Sequence, residues 1–364
     1  MLAERTAKVA ARKALFHTGR DIVKTRVAGE HTMKVSIRTI SKVTGFSPAT
    51  VSNALNHKPG VSPKTAAQIV RVAAEMGYQP QNRIERINFV VARKTGSILD
   101  EGEFHPAVMD GIERAARREG MPTRYVTVDL ETPTAQDQIE ELCRDKSSGL
   151  ILLGTELKEE DYRPFYDCEA PLVIVDGFCF HKPIESIVIS NESSSYTAVH
   201  YLISMGHTKI GYITAGDIIQ NFPLRRRGCE HALTEAGLSL DEKYVMHVGT
   251  KLSTAYSDAK EWLSHDPDLP TAFFADNDIL ASGAMRAFLE RGIRVPEEVS
   301  FIGFDDLPLA RLTLPSLTTI HIHKHDIGSM AVQKLLGQVR NPQGYTCVTH
   351  ISSDFVIRDS VARV

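Results

Sequence analysis

The stretch Ile40–Asn56 reads ISKVTGFSPATVSNALN, and a second Ser-Pro pair follows it in GVSPKTAAQIV, Gly60–Val70. Serine is a favoured helix N-cap and proline is favoured at the first helical position, so each pair predicts the start of a helix. Gly45 supplies a turn just before the first pair. A short helix, a glycine turn, a second helix and a third behind them predict a helix-turn-helix domain over residues 34–80.

Apolar residues recur at helical spacing within this domain. The second helix is expected to bury Val51 and Leu55, and to leave small or polar residues on its other face. The third is expected to stop at Gly77. The side chains expected in the three-helix core are Ile37, Ile40, Val43, Val51, Leu55, Ala66, Ile69, Val70 and Ala73.

The charge of the chain is unevenly distributed. Residues 1–94 hold 17 Lys and Arg against 5 Asp and Glu, whereas the remaining residues hold 25 against 40. No acidic residue lies between His31 and Ala74. A basic N-terminal part on an acidic body favours a surface that binds polyanions, and the alternative for residues 1–32 is a solvated basic tail.

Composition excludes several classes of protein. The chain is 42% hydrophobic and 24% charged, as is ordinary for a soluble globular protein. No apolar run approaches the roughly 20 residues of a membrane span, and no signal-peptide core is present. The five cysteines are scattered without a C-x-x-C pair. We therefore expect reduced thiols in a cytoplasmic protein, without a disulfide framework or a zinc site.

Residues 1–33 form an N-terminal extension with weak patterning. Met33 shortly precedes the first well-defined helical pattern. Two interpretations are open: Met33 is the physiological start, or residues 1–32 form a disordered basic arm.

From Ile87 onwards, short apolar strands alternate with helix-length segments. The strands are INFVV, RYVTV, GLILLG, PLVIVD, SIVIS, KIGYIT, TAFFA, VSFIGF and LTTIHI. This α/β alternation predicts parallel sheets covered by helices on both faces. Residues 87–364 are long enough for two doubly wound lobes, and ligands of such folds bind beyond the carboxyl ends of the strands.

Several long motifs resemble the LacI/GalR family of bacterial transcriptional regulators. In the head the matching segment is FSPATVSNALNHKPGVSPKTAAQIVRVAAEMGYQP. In the core they are HYLISMGHTKIGYI, RRRGCEHALTEAGL, PTAFFADNDILASGAMRAFLERGIRVPEEVSFIGFDD, SLTTIHI and VIRDS. The resemblance implies a periplasmic-binding-protein-like core over 87–364. Lobe 1 is expected at 87–190 and 320–347, and lobe 2 at 191–319 and 348–364.

The resemblance also implies partners and a function. Members of the family are homodimeric and bind a pseudo-palindromic operator in double-stranded DNA, here as a repressor. A small-molecule effector, a sugar or sugar derivative, is expected between the lobes. No cofactor, metal or membrane is implied. The effector's identity, its direction of control and the operator sequence are not given by the chain.

By this resemblance, the second helix lies in the major groove of DNA. Positions that face bases match Pro48, Ala49 and Asn53, of which the first two offer only apolar contact. The Asn53 amide suits bidentate contact with adenine, and its alternative role is that of a polar surface residue. Positions that face phosphates match Ser47, Thr50, Ser52 and Asn56.

The linker departs from the family pattern. Members carry a hinge helix with an Ala-Arg-x-Leu motif that inserts a leucine into the minor groove, but here only QNRIER, 81–86, separates the head from Ile87. Ile84 is the candidate wedge, flanked by Arg83 and Arg86. Without a full hinge helix, the operator is expected to be little bent.

The resemblance places effector-binding residues between the lobes. Arg225 matches an arginine that clamps ligand oxygens, although its neighbours in RRR leave a shift by one position open. Asp278 matches a carboxylate that accepts from ligand hydroxyls, and the two together suit a polyol. The other candidates are Phe104 and His105, at stacking positions, and Asp176, for which a strand-end cap is the alternative.

Three further possibilities are weaker. The run HIHKH could bind metal only if a strand continued through Lys324, which would put His321, His323 and His325 on one face. An enzyme would need a catalytic or phosphate-binding motif, and the nearest, GFSPA, lies in the helix-turn-helix and lacks the final glycine. A solute-binding protein of a transporter would share the two-lobed core but has no use for a basic head.

Overall fold

The computed structural model describes residues 35–55, 59–76, 78, 84–96, 99, 104–216, 218–340 and 344–364. The expected extension 1–33 and residues 81–83 of the linker lie outside this part. The chain divides into two compact units, 1–81 and 82–364, which are described separately. Every helix in the described part is too short or too polar to cross a lipid bilayer.

Within its described residues, the first unit has three helices that begin in the same way. They are α1 (Ile37–Thr44), α2 (Pro48–Leu55) and α3 (Pro63–Glu75). Before each one, a serine hydroxyl accepts the backbone N–H of the threonine three residues later; the serines are Ser36, Ser47 and Ser62, and the distances are 3.2, 3.1 and 3.2 Å. These caps satisfy N–H groups that have no partner inside the helix. The three helix starts are therefore set by local sequence.

A small apolar core joins the three helices. Ile40, Val51 and Ile69 are completely buried in it. The prediction was wrong for Val43 and Val70, which are 60% and 42% exposed. Three residues turn a helix by about 300°, so Val43 is rotated about 60° from Ile40 around the helix axis. One residue turns a helix by about 100°, so Val70 is rotated by that angle from Ile69. Both valines thus point away from the buried residue beside them.

The second unit alternates strands and helices along the chain. In order these are β1 (Arg86–Arg93), α4 (Phe104–Arg118), β2 (Thr123–Asp129), α5 (Ala135–Arg144), β3 (Ser148–Leu153), β4 (Leu172–Val175), β5 (Ser186–Ile189), α6 (Asn191–Ser204), β6 (Ile210–Thr214), α7 (Asn221–Glu235), β7 (Val245–His247), α8 (Leu252–Ser264), β8 (Ala272–Ala275), α9 (Asp278–Glu290), β9 (Ser300–Ile302), β10 (Thr319–His321), α10 (Lys324–Arg340), β11 (Val348–Ile351) and β12 (Asp354–Val356). Short 3₁₀ helices lie at Glu159–Phe165, Glu242–Tyr244 and Pro308–Arg311.

Two parallel sheets form the two lobes of this unit. The first sheet has the order β11-β5-β4-β3-β1-β2, and the second has the order β7-β6-β8-β9. A separate antiparallel pair joins β10 to β12. The strands of both sheets are buried almost throughout, except for β2 and β11 at the edges of the first. This is the doubly wound α/β architecture that the alternation of strands and helices predicts.

One expected lobe boundary is wrong. Residues 348–364 were assigned to lobe 2, but Val348–Ile351 forms β11 and pairs in parallel with β5 at the edge of the first sheet. The helix α10, Lys324–Arg340, follows the LTTIHI strand. That helix has no serine or threonine cap and contains two glycines, so the local signals that mark the other helices are missing.

Close helix packing in the first lobe depends on glycine. A Cβ atom on Gly111 of α4 would lie 2.2 Å from the carbonyl oxygen of His325 in α10. A Cβ atom on Gly328 of α10 would lie 2.2 Å from the carbonyl oxygen of Val108 in α4. Backbone atoms cannot move aside as a flexible side chain can, so α4 and α10 approach this closely only because both residues lack a side chain.

We expect Gly111→Ala to destabilise the core by about 1–3 kcal/mol, because its methyl group would force α4 away from α10. The matched control is Gly337→Ala in α10, where an added Cβ meets nothing within 4 Å. That change should be neutral or stabilising by up to about 1 kcal/mol, since alanine favours helix more than glycine does. Urea unfolding of both variants measures the difference, and equal stability of the two would contradict the packing argument.

Candidate functional site

The exposed face of α2 carries the residues expected to contact DNA. Ser47, Pro48 and Ala49 are exposed, whereas Ser52 and Asn53 are half-buried. The Ser47 hydroxyl lies 2.9 Å from the Thr50 hydroxyl, in addition to its cap on the Thr50 backbone. Ser47 and Thr50 thus fix the first turn of the helix on which the predicted base contacts lie. Asn56 lies outside the described residues.

The surroundings of α2 are basic. Arg38, Lys42, Lys64 and Arg71 are exposed, and the first acidic side chain in the described part of this unit is Glu75 at the end of α3. Glu75 pairs with Arg71 at 3.7 Å, so cationic side chains remain in excess on this surface and favour contact with phosphates.

Ile84 does not have the environment of a minor-groove wedge. Its side chain is 3% exposed and belongs to the apolar core of the second unit. A Cβ atom on Gly149 would lie 2.9 Å from Ile84 and 2.6 Å from Leu335, so Ile84 fills space above a glycine on β3. The prediction that Ile84 enters a DNA groove is contradicted, because its apolar surface is already buried in protein.

A cleft lies between the lobes at the carboxyl ends of the strands. Phe104, His105, Asp176 and Arg225, all predicted from the sequence, line it. The lining residues that sequence reasoning missed are Leu99, Thr155, Ile189, Ile219, Asn221, Phe222, Asn277 and Asp305. Several of them follow the ends of parallel strands or begin a helix, where the topology of such sheets places ligands.

Arg225 is the central side chain of the cleft. It is 3% exposed and lies with its guanidinium 3.7 Å from the centre of the Phe304 ring. Nε donates to Asn191 Oδ1 at 2.9 Å, Nη1 donates to the backbone carbonyl of Asp276, and Nη2 pairs with Asp305 Oδ1 at 3.2 Å. The buried cation is thus paired and hydrogen-bonded on each nitrogen, as burial of a charge requires.

The neighbours of Arg225 point elsewhere. Arg226 pairs with Glu230 and Glu242, and Arg227 lies 3.5 Å from Glu192. Of the three consecutive arginines, Arg225 alone lines this cavity. The alternative of a shift by one position in RRR is therefore not supported by the geometry.

A hydrogen bond between Asp176 and Asn221 joins the two lobes across the cleft. Asp176 follows β4 and accepts from Thr155 Oγ1 at 2.6 Å within the first lobe. Its other oxygen accepts from Asn221 Nδ2 at 2.9 Å, at the start of α7 in the second lobe. Asp176 is therefore more than a cap for its own strand, since it links the rims of the cleft.

Asp278 does not line the cleft. It is completely buried, and its oxygens accept from Thr319 Oγ1 at 2.5 Å and from the Leu307 backbone N–H at 2.7 Å. Asp305 instead presents the second-lobe carboxylate to the cavity. Asp278 thus lies behind the lining of the closed cleft, where its carboxylate holds the 303–307 turn against β10, and its role in effector binding stays a prediction.

Burial changes the acidity of the cleft carboxyls. It raises the pKa of Asp176 to about 6, against hydrogen bonds from Thr155 and Asn221 that lower it. Burial also raises the pKa of Asp305. A carboxylate loses hydration energy in a dry site, so the proton is held more tightly. If the lobes part and rehydrate these groups, their pKa values fall, so lower pH favours the closed cleft.

The cleft is nearly closed. It encloses about 40 Å³, whereas ligand pockets typically hold roughly 300–1,000 Å³. A ligand of sugar size therefore requires the lobes to separate and the Asp176–Asn221 bond to break.

The HIHKH histidines are not arranged as one metal site. The strand ends at His321 and α10 begins at Lys324, so the required alternation is interrupted. His321, His323 and His325 lie near three different carboxylates, those of Asp306, Asp354 and Asp110, at 2.9, 3.4 and 3.1 Å. Across the described residues, no group of three or more His, Cys, Asp or Glu side chains could hold a metal ion.

Comparison with known proteins matches both units. Residues 36–81 match the family described as bacterial regulatory proteins, lacI family, and residues 199–361 match the periplasmic binding protein-like domain. The HTH-type transcriptional repressor PurR of Vibrio vulnificus is 28% identical over 333 residues, which cover 90% of this chain and 99% of that protein. The regulator GalS of Salmonella typhimurium is 30% identical over 302 residues, which cover 82% and 87%.

The fold has solved counterparts. The structure of the Lac repressor dimer bound to operator and the anti-inducer ONPF has a TM-score of 0.67 and 23% identity, and covers 90% of this chain and 99% of that one. The helix-turn-helix unit, the two-lobed core and the similarity to GalS lead to one conclusion. The chain belongs to the LacI family of bacterial transcriptional regulators.

Proposed function

We propose that this protein is a transcriptional repressor that binds a pseudo-palindromic operator as a homodimer and responds to a sugar or sugar derivative in the cleft. The observation that carries the proposal is the joining of a helix-turn-helix unit to a core whose two lobes meet at a buried, polar cleft. The relatives named above are repressors and regulators, so we assign no catalytic activity. The protein acts on DNA in the cytoplasm.

The chemistry of α2 supports DNA recognition. Ser47 and Thr50 offer hydroxyls to phosphates at the amino end of a helix, where backbone N–H groups also favour anions. Asn53 offers an amide whose donor and acceptor match adenine. Pro48 and Ala49 can meet a thymine methyl group, so most of the base contact would be apolar.

Exposed leucines support association of two copies. Leu312 and Leu314 are 80% and 86% exposed and follow the 3₁₀ helix Pro308–Arg311 of the second lobe. Large apolar side chains at this exposure favour burial in an interface. The Lac repressor compared above is a dimer. A dimer presents two helix-turn-helix units, as an inverted repeat in DNA requires.

The polar groups of the cleft support a ligand rich in hydroxyls. Arg225 supplies fixed donors, Asp176 and Asp305 supply acceptors, and Asn221 and Asn277 supply both. Phe104 and Phe222 provide apolar faces beside them. This mixture suits the alternating C–H and O–H surfaces of a sugar ring. The alternative, a sugar-binding protein of a transport system, would share this cleft but would not bind DNA.

The proposal is tested by incubating the protein with fragments of its own genome in moderate salt and sequencing what it retains. We expect enrichment of one inverted repeat, because a symmetric dimer reads two half-sites. The selection is then repeated with a metabolite extract added. Enrichment only in the presence of the extract would show that DNA binding requires a corepressor. Retention of random fragments under both conditions would contradict the proposal that the protein is a repressor. So would the loss of all binding when non-specific competitor DNA is added.

We expect Asn53→Ala to relax base preference at one position in each half-site, with a loss of about 1–3 kcal/mol on the preferred sequence. The matched control is Ser52→Ala on the same helix. A phosphate contact carries no sequence information, so this control should weaken all sequences alike. Selection of randomised operators with each variant measures the difference. A uniform loss for Asn53→Ala would remove Asn53 as a base reader.

We expect Arg225→Lys and Asp305→Asn each to weaken effector binding by at least about tenfold, since each removes or alters a buried polar partner in the cleft. A panel of monosaccharides and disaccharides, scored by thermal shift, identifies a ligand for the unmodified protein. Titration calorimetry then gives its affinity for each variant.

Two controls separate binding from folding. Arg227→Lys changes an exposed arginine outside the cleft and should leave affinity unchanged. Asp278→Asn should lower thermal stability while ligand affinity is kept, because Asp278 holds the 303–307 turn. Loss of affinity in Asp278→Asn with unchanged stability would confirm the prediction that Asp278 contacts the ligand.

A further inference from the structure

We propose that Cys143 and Cys168 form an oxidisable thiol pair, which a hydroperoxide converts into an intrachain disulfide. Neither the proposed DNA surface nor the effector cleft uses these residues. The pair lies in the first lobe, where the end of α5 meets the turn after the 3₁₀ helix Glu159–Phe165.

The two cysteines are held together by the backbone. The carbonyl oxygen of Cys143 accepts the N–H groups of Glu169 and Ala170 at 3.0 and 2.9 Å. Lys146 Nζ and Glu169 Oε2 form an ion pair at 2.5 Å between the same two segments. The turn that carries Cys168 therefore cannot drift from the end of α5 without breaking three bonds.

The side chain of Cys168 also lies against Cys143. Cys168 Sγ donates to the Cys143 carbonyl oxygen at 3.9 Å, and the Cys168 side chain packs against the apolar cluster that contains Cys143. A disulfide needs side chains that face each other across a short backbone separation. The contact of Cys168 Sγ with the Cys143 carbonyl and the backbone bonds at residues 169 and 170 hold the two residues at a short separation, so oxidation requires little movement of either segment.

One sulfur of the pair is open to small molecules. Cys168 is half-exposed and lines an open cavity of about 910 Å³ between the 3₁₀ helix and α10. Cys143 is 5% exposed and packs in the apolar layer beneath it. A peroxide can reach Cys168 from the cavity, while Cys143 is positioned to attack from within.

The reaction balances with the hydroperoxide as oxidant. The pair loses one proton as a unit, and the interaction between the two thiols lowers the pKa of Cys143 and raises that of Cys168. Cys143 is the more acidic thiol, so reaction at the accessible Cys168 requires transfer of the remaining proton from Cys168 to Cys143. The thiolate of Cys168 attacks a peroxide oxygen and becomes a sulfenic acid, as the O–O bond breaks and an alcohol or water leaves. The Cys143 sulfur then displaces the hydroxyl group, its proton leaves with it as water, and the disulfide forms.

The other cysteines have different surroundings. Cys229 is completely buried. The Cys179 thiol lies 3.2 Å from the Glu159 carboxylate, whose negative charge opposes a thiolate. Cys347 lines the same cavity as Cys168. Small molecules in the cavity can reach Cys347 as they reach Cys168, but Cys347 is not expected to bond to Cys143. Cys347 is therefore the matched control position.

The experiment treats the reduced, full-length protein with equimolar hydrogen peroxide, blocks the remaining thiols and digests the protein without reductant. We expect the thiol count of the denatured protein to fall from five to three. Fragmentation of the cross-linked tryptic peptides should show that Cys143 is bonded to Cys168. Cys179 lies on the same tryptic peptide as Cys168 and should carry the blocking group. Dithiothreitol should restore all five thiols.

Variants assign the pair. Cys347→Ser should still form the bond, whereas Cys168→Ala should retain four blocked thiols and form none. Cys168 is half-exposed, so this variant is suited to fold even if the buried Cys143→Ser does not. A disulfide between other cysteines, oxidation that stops at sulfinic acid on Cys168, or five unreacted thiols in the unmodified protein would overturn the proposal.

Discussion

The cleft is organised by one buried guanidinium. Arg225 projects from α7, and its hydrogen bonds reach the first residue of α6, the carbonyl after β8 and the carboxylate after β9. An unpaired charge at this depth would cost several kcal/mol, so these groups must converge on it. The Phe304 ring closes the remaining side. The relative positions of α6, α7 and the ends of two strands in the second lobe thus depend on this single side chain.

Much of the fold can be predicted because its signals are local. Each Ser-x-x-Thr start carries its own cap, and each short apolar run is long enough for one buried strand. Other elements lack such signals. The helix α10 is preceded by His323 and not by a serine or threonine. The edge strand β11 alternates between exposed and half-buried residues, so its pairing with β5 is decided by contacts distant in sequence.

The site was less predictable than the fold, for a related reason. Asp278 and Asp305 both follow buried strands, and their sequence surroundings do not say which carboxylate faces the cleft. The choice is made by Thr319 and the Leu307 N–H, which lie 41 and 29 residues from Asp278 and capture its oxygens. Ile84 is a similar case, because its burial depends on the missing side chain of Gly149. Interactions of this kind can be recognised only when the chain has folded.

The hydrogen bonds inside the closed cleft affect the ligand concentration that is needed for binding. Arg225, Asp176 and Asn221 already bond to protein atoms when no ligand is present, so a ligand exchanges existing bonds for new ones. Its affinity reflects only the difference between the two sets, reduced further by the fraction of molecules that are open. A ligand therefore needs a higher concentration to bind here than at an open, preformed site that offers the same contacts. The internal bonds therefore set a threshold for the signal, in addition to shaping the pocket.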